Sequence, residues 1–194
     1  MADGPLHGTR HELLRVNREP ITYELFTDGV LTVRAVASGP LLLDGAALQP
    51  VDGPGPWSLK PMRRVAPKSW ELSTPDGDVH ARCKVAYRKR GGTAVDLQDG
   101  PDDLRFDPTD NPILDTVKAM ALADTGKFAL RRGKEVVART GHRRGDLARR
   151  RQDGARRPTQ VLWTEPGASW QPDPVLACAL LVFRIHVVTS FRSP

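Results

Sequence analysis

The side chains in this chain best suited to holding a ligand are arginines. The stretch GHRRGDLARRRQDGARRP, residues 141–158, carries Arg143, Arg144, Arg149, Arg150, Arg151, Arg156 and Arg157, with Asp146 and Asp153 as its acids. Guanidinium groups present planar donor forks and keep their charge, so this density in a loop suits phosphates or other polyanions. A second cluster joins Arg82, Lys84, Arg88, Lys89 and Arg90, of which Arg82 and Lys84 share one face of a strand. The candidate anion-binding residues are therefore Arg82, Lys84, Arg88, Lys89, Arg143, Arg144, Arg149, Arg150 and Arg151. The plainer reading makes the first run a solvated loop and the second the polar outer face of a strand. Tyr87 is the only aromatic among these basic stretches, which is too little to stack single-stranded nucleic acid.

Catalytic patterns are missing from the sequence. His7, His11, His80, His142 and His186 have no metal-ligand spacing. His186, beside an apolar run, reads as a core histidine satisfied by a backbone or water partner. Asp99, Asp102, Asp103, Asp107, Asp110 and Asp115 lack the spacing and the glycine of a calcium loop, and turn or capping roles account for most of them. Neither a nucleophile elbow nor a phosphate-cradling glycine loop occurs. Cys83 and Cys178 lie far apart in sequence and read as small buried hydrophobes. No metal or cofactor is expected.

The elements that would position these residues are short strands. ITYELFTDGVLTVRAV alternates Tyr23, Leu25, Leu31 and Val33 with polar residues around the turn Asp28-Gly29. SWELSTPDGDVHARCKVAYRK repeats the scheme around Pro75-Asp76-Gly77, and KFALRRGKEVVART repeats it around Gly133. Leu41 to Val51 reads as a further strand pair, and Trp57 to Val65 as an edge strand interrupted by Pro61. TAVDLQDGPDDLRFDP reads as two strands around Gly100 to Asp103, residues 111–124 as a short amphipathic helix, and TQVLWTE as a strand. About ten to twelve closely spaced strands suggest a sandwich or barrel, and closure removes exposed edges.

The chain ends in its most apolar segment, PDPVLACALLVFRIHVVTSF. Asp173 caps a helix whose first position suits Pro174, and apolar residues cover its circumference until Arg184 and His186 offer a solvent face. The uninterrupted run from Val175 to Phe183 falls short of the ~20 residues of a membrane span, so a buried core helix is expected and no transmembrane span. The chain has 194 residues, 39% of them apolar, which suits one domain over residues 20–194 behind a flexible segment 1–19. The N-terminus lacks a signal-peptide core, so a cytoplasmic location is expected. A net charge of +6 raises the prior for a polyanionic partner.

The hairpin WELSTPDGDVHARCKV, the strand VLWTEPGASW and the terminal helix DPVLACALLVFRIHVV together resemble the tubby-like superfamily, in the branch of LURP-one-related proteins and phospholipid scramblases. The resemblance implies a mainly β (α+β) fold: a closed antiparallel barrel of about twelve strands around a buried C-terminal hydrophobic helix. Tubby proteins bind phosphoinositide head groups through basic side chains on the barrel wall. Scramblases carry an acidic calcium segment and a cysteine cluster, whereas EPGASWQPDP offers only Glu165 and Asp173 and no cysteine cluster occurs, so scrambling is disfavoured. The expected function is a non-enzymatic binding or scaffold domain that meets an anionic phospholipid surface, another polyanion or a protein partner, peripherally at the membrane. The alternative is an enzyme or small-ligand carrier with a pocket at a barrel end. Nucleic acid ranks behind both.

Overall fold

Strands alternating between apolar and polar residues must hide one face, and this chain hides all of those faces in one interior. The computed structural model describes residues 8–38, 42–63, 69–88, 92–99, 102–108, 128–141 and 160–188. Twelve strands follow one another: β1 Arg10–Arg18, β2 Ile21–Thr27, β3 Val30–Ala37, β4 Ala46–Pro50, β5 Trp57–Pro61, β6 Ser69–Ser73, β7 Val79–Arg88, β8 Gly92–Asp99, β9 Asp102–Pro108, β10 Phe128–Arg132, β11 Glu135–Thr140 and β12 Gln160–Thr164. Neighbours in sequence pair antiparallel, and β1 pairs with β12 as well as β2, through Arg10↔Trp163 to Leu13↔Gln160. The order β1-β12-β11 and onward to β2 is thus a closed ring. The three hairpin turns expected at Asp28-Gly29, Pro75 to Gly77 and Gly133 lie where the sequence places them. Asp28 and Gly29 both take positive φ, the geometry that matches a tight hairpin to strand twist.

The remaining element is α1, Pro174–Phe183, followed by a π-helical turn, Arg184–Val188. Asp173 accepts a hydrogen bond from the Leu176 amide at 2.9 Å, and Pro174 opens the helix where its missing N–H costs nothing. Every residue from Val175 to Phe183 is buried. The helix packs on β1, β2, β3, β4 and β12, and Phe183 meets Trp70 of β6 edge-on with ring centroids 5.0 Å apart. Inward residues of the ring, among them Leu13, Leu25, Leu48, Leu59, Leu72 and Leu130, share one cluster with the helix. Burying each large side chain there contributes about 1.5–3 kcal/mol, which offsets the entropy of ordering many short strands. No helix among the described residues is long and apolar enough to cross a membrane.

Four expectations need correction. Residues 10–18, placed in a flexible segment, form β1, with His11 and Leu13 turned inward and buried. The polar look of RHEL hid an inward histidine that stands where an apolar residue was sought. Leu41 to Val51 yields one strand, β4, because Leu42 and Gly45 take positive φ and break the extended backbone. A Cβ on Gly45 would lie 2.6 Å from the Leu59 carbonyl oxygen, so the chain also needs glycine there for close approach. β5 is no edge strand: it pairs with both β4 and β6, and Pro61 is its last residue, opposite Trp70. Arg184 offers no solvent face and is buried, its guanidinium donating to Oε1 of Gln160. The helix expected over 111–124 lies outside the described residues.

If the helix is the core of the ring, Phe183→Ala should lower unfolding free energy by about 3–5 kcal/mol in urea titrations, the usual cost of emptying a buried aromatic site. Val30→Ala, at a position 66% exposed, should change it by less than about 0.5 kcal/mol.

Candidate functional site

Period two puts Arg82 and Lys84 on the outer face of β7, with Cys83 buried between them. Arg82 stands directly opposite Glu71 of β6 and binds it, Nε to Oε2, at 3.1 Å. The same device recurs around the wall. Arg34 bonds Glu24 across the β2–β3 pair at 3.1 Å, Arg10 bonds Glu12 at 2.7 Å, and Arg139 bonds Glu165 at 2.6 Å. Exposed pairs of this kind add little stability, about 0–1 kcal/mol each, but they cancel charge locally. The described outer wall therefore alternates in sign instead of forming one basic field. Arg88 ends β7 opposite Gly92, with its side chain outside the described part, and Lys89, Arg143, Arg144, Arg149, Arg150 and Arg151 lie outside the described residues altogether.

A different place gathers chemistry: the end of the barrel where α1 begins. A pocket of about 430 Å³ opens there, lined by Thr32, Val33, Pro50, Asp52, Pro54, Trp57, Asp173, Pro174 and Val175. Each wall has a local cause. The β2–β3 register shifts between Leu25↔Val33 and Phe26↔Leu31, so Thr32 is the extra residue of a bulge. Bulges re-aim side chains, and the Thr32 hydroxyl turns to the Leu25 carbonyl at 3.3 Å and the Thr27 hydroxyl at 3.0 Å. The β3–β4 ladder continues one step past Pro50, with the Val51 amide on the Thr32 carbonyl at 2.9 Å, which sets the loop 51–56 over the opening. Trp57 Nε1 donates back to the Pro54 carbonyl at 3.2 Å and fixes that lip. On the far side, His80 sits edge-on to Trp57 at 5.1 Å and reaches Oδ2 of Asp173 at 3.1 Å. Asp173 thus divides its carboxylate between the helix amide and His80. Asp52 is exposed and makes no ion pair among the described residues.

Beneath this mouth lies His11, 1% exposed. Its Nδ1 is 3.0 Å from the Thr27 hydroxyl, which is 3.0 Å from the Thr32 hydroxyl. Thr32 gives its proton to the Leu25 carbonyl, so Thr27 must donate to Thr32, and His11 must donate from Nδ1 to Thr27. That direction leaves Nε2 as an acceptor, and it has no hydrogen-bond partner among the described residues. Burial pushes the imidazole down to about 4, against the opposing pull of Asp28 and Asp173. His11 is therefore neutral near pH 7.

At the opposite end of the barrel a tyrosine and a histidine meet. The Tyr23 hydroxyl and His186 Nε2 are 3.0 Å apart, their rings edge-on at 5.8 Å. This is a core histidine with a partner, as the sequence suggested, although the partner is a side chain. Burial raises the Tyr23 pKa and lowers that of His186, with Arg15 acting to lower both. Both cysteines are buried free thiols; burial pushes Cys83 up to about 12 and raises Cys178 as well.

Of the mouth residues, sequence reasoning singled out Asp173, as a helix cap and as one of two acids in the segment before the helix, and gave the others no site role. Thr32 was invisible because a bulge depends on its partner strand. The signal that could have served is Trp57, a lone aromatic closing a loop of glycines and prolines, next to Asp52. The chain matches no protein-family model, no curated protein and no solved structure.

The two histidines make stability depend on pH with a definite sign. Unfolded, each takes a proton near pH 6.5; folded, His11 refuses it until about 4, so acid favours the unfolded chain. Stability present above pH 6.5 should fall by on the order of 3 kcal/mol from His11 alone as pH drops through that window, with His186 adding in the same direction. Urea midpoints measured from pH 7 to pH 4 should show this slope, and His11→Gln should flatten it.

Proposed function

We propose that the chain is a non-enzymatic binding domain of tubby-like form, which takes a small ligand in the pocket at the barrel mouth. One observation carries the reading: a pocket of about 430 Å³ is built from three separate stretches of the chain, with apolar walls and a few convergent polar groups. That size and composition are those of ligand sites, which run to about 300–1,000 Å³. The tubby-like form is supported by the ring order of the strands and by a terminal helix buried on all sides. Absence of catalysis is supported by the thiols, both buried and held protonated, and by the preoccupation of Asp173 with its helix and His80.

The reading in which Arg82, Lys84 and the other basic residues meet an anionic phospholipid draws less support from the wall. Arg82 is already bound to Glu71, and Lys84 stands opposite Ser69 of β6 and Asp96 of β8. It remains the second proposal, as peripheral membrane binding through the arginine-rich stretch.

The neutral fluorophore N-phenyl-1-naphthylamine tests the pocket. It should bind saturably at one site per chain, with emission enhanced and energy transferred from Trp57. Val175→Phe, which fills the pocket from the first turn of α1, should weaken binding at least tenfold while circular dichroism stays native. Failure of the dye to saturate, or equal affinity in the filled variant, would count against a ligand pocket.

A further inference from the structure

We propose that the mouth pocket selects an organic cation: an ammonium group carried on a compact apolar body. The inference rests on the reading that this pocket takes a small ligand. Its lining includes two carboxylates, Asp52 and Asp173, and no lysine or arginine among the described residues. That sign runs against the composition, since the chain holds 29 basic and 23 acidic residues for a net charge of +6. A pocket whose described charges are both carboxylates favours an ammonium over an anion.

The two carboxylates differ in what they can still do. Asp173 is held by the Leu176 amide and by His80 and sits at the positive end of the helix, so its charge is partly answered. Asp52 is exposed, lies on the lip and has no ion pair among the described residues, so it is the group available to meet a cation. Trp57 lines the same space, and an indole face attracts an ammonium within ~6 Å of its centre. Val33, Pro50, Pro54, Pro174 and Val175 supply the surface for an apolar body.

One further observation concerns the same end of the barrel. Buried His11 is joined through Nδ1 and two hydroxyls to Thr32 of the pocket wall, and its Nε2 has no hydrogen-bond partner among the described residues. The two carboxylates at this end suit a positive charge, and Asp173 answers the positive end of the helix that would otherwise oppose it.

A matched set of probes separates charge from shape. Benzyltrimethylammonium and its uncharged carbon isostere neopentylbenzene have the same outline, and 3-phenylpropionate supplies the opposite charge. Titrations followed by Trp57 emission should give at least tenfold tighter binding for the cation than for the isostere, with no saturation by the anion. Asp52→Asn should cost the cation about fivefold or more and leave the isostere unchanged, and raising salt should weaken only the cation. Equal binding of cation and isostere, or indifference to Asp52→Asn, would overturn the cation while leaving an apolar pocket standing. No binding of either would overturn the pocket itself and this inference with it.

Discussion

A helix with no polar face can be stable in water only if it is surrounded, and that requirement organises the whole chain. From Val175 to Phe183 each residue is buried, so no arrangement with strands on one side would serve. Twelve short strands, none able to hide its apolar face alone, meet the requirement by closing on each other around the helix. The pairing of β1 with β12 joins residues about 150 positions apart and completes the enclosure. Strand alternation then does the rest, since the inward set supplies the lining and the outward set takes the charges.

Surrounding a helix leaves only its two ends open, which explains where the polar chemistry sits. The first turn needs acceptors for its free amides, and Asp173 provides one. The far end turns into a π-helical segment whose Arg184 is tied to Gln160 and whose His186 is tied to Tyr23. These bonds close that end. The first end holds a pocket, and among the described residues its lip carboxylate Asp52 makes no ion pair and His11 Nε2 meets no donor. An unsatisfied buried acceptor costs about 1–3 kcal/mol, and such a cost persists where something else is served by it.

Much of the scaffold was legible because its signals are local. Asp-Gly turns between alternating runs locate the β2–β3 and β6–β7 hairpins, and the cap pair Asp173-Pro174 locates the start of the helix. What failed depended on distant partners. β1 reads as a polar tail until β12 and β2 flank it, and Pro61 suggests an edge only while the β5 neighbours are unknown. Arg184 looked like a solvent anchor because nothing local reveals Gln160 behind it. The site was least legible of all. Thr32 reaches the mouth through a bulge, His80 through a partner 93 positions away, and the basic clusters drew attention to a wall where Arg10, Arg34, Arg82 and Arg139 are each paired with a glutamate.

The enclosure has a direct probe in the chain's own two thiols, Cys83 on the inner face of β7 and Cys178 in the helix. A disulfide reagent added to the native protein should label neither, and as urea is added both should react together, at the rate of global unfolding. Rapid labelling of Cys178 in native protein while Cys83 stays protected would place the helix outside the ring and contradict the account at its root.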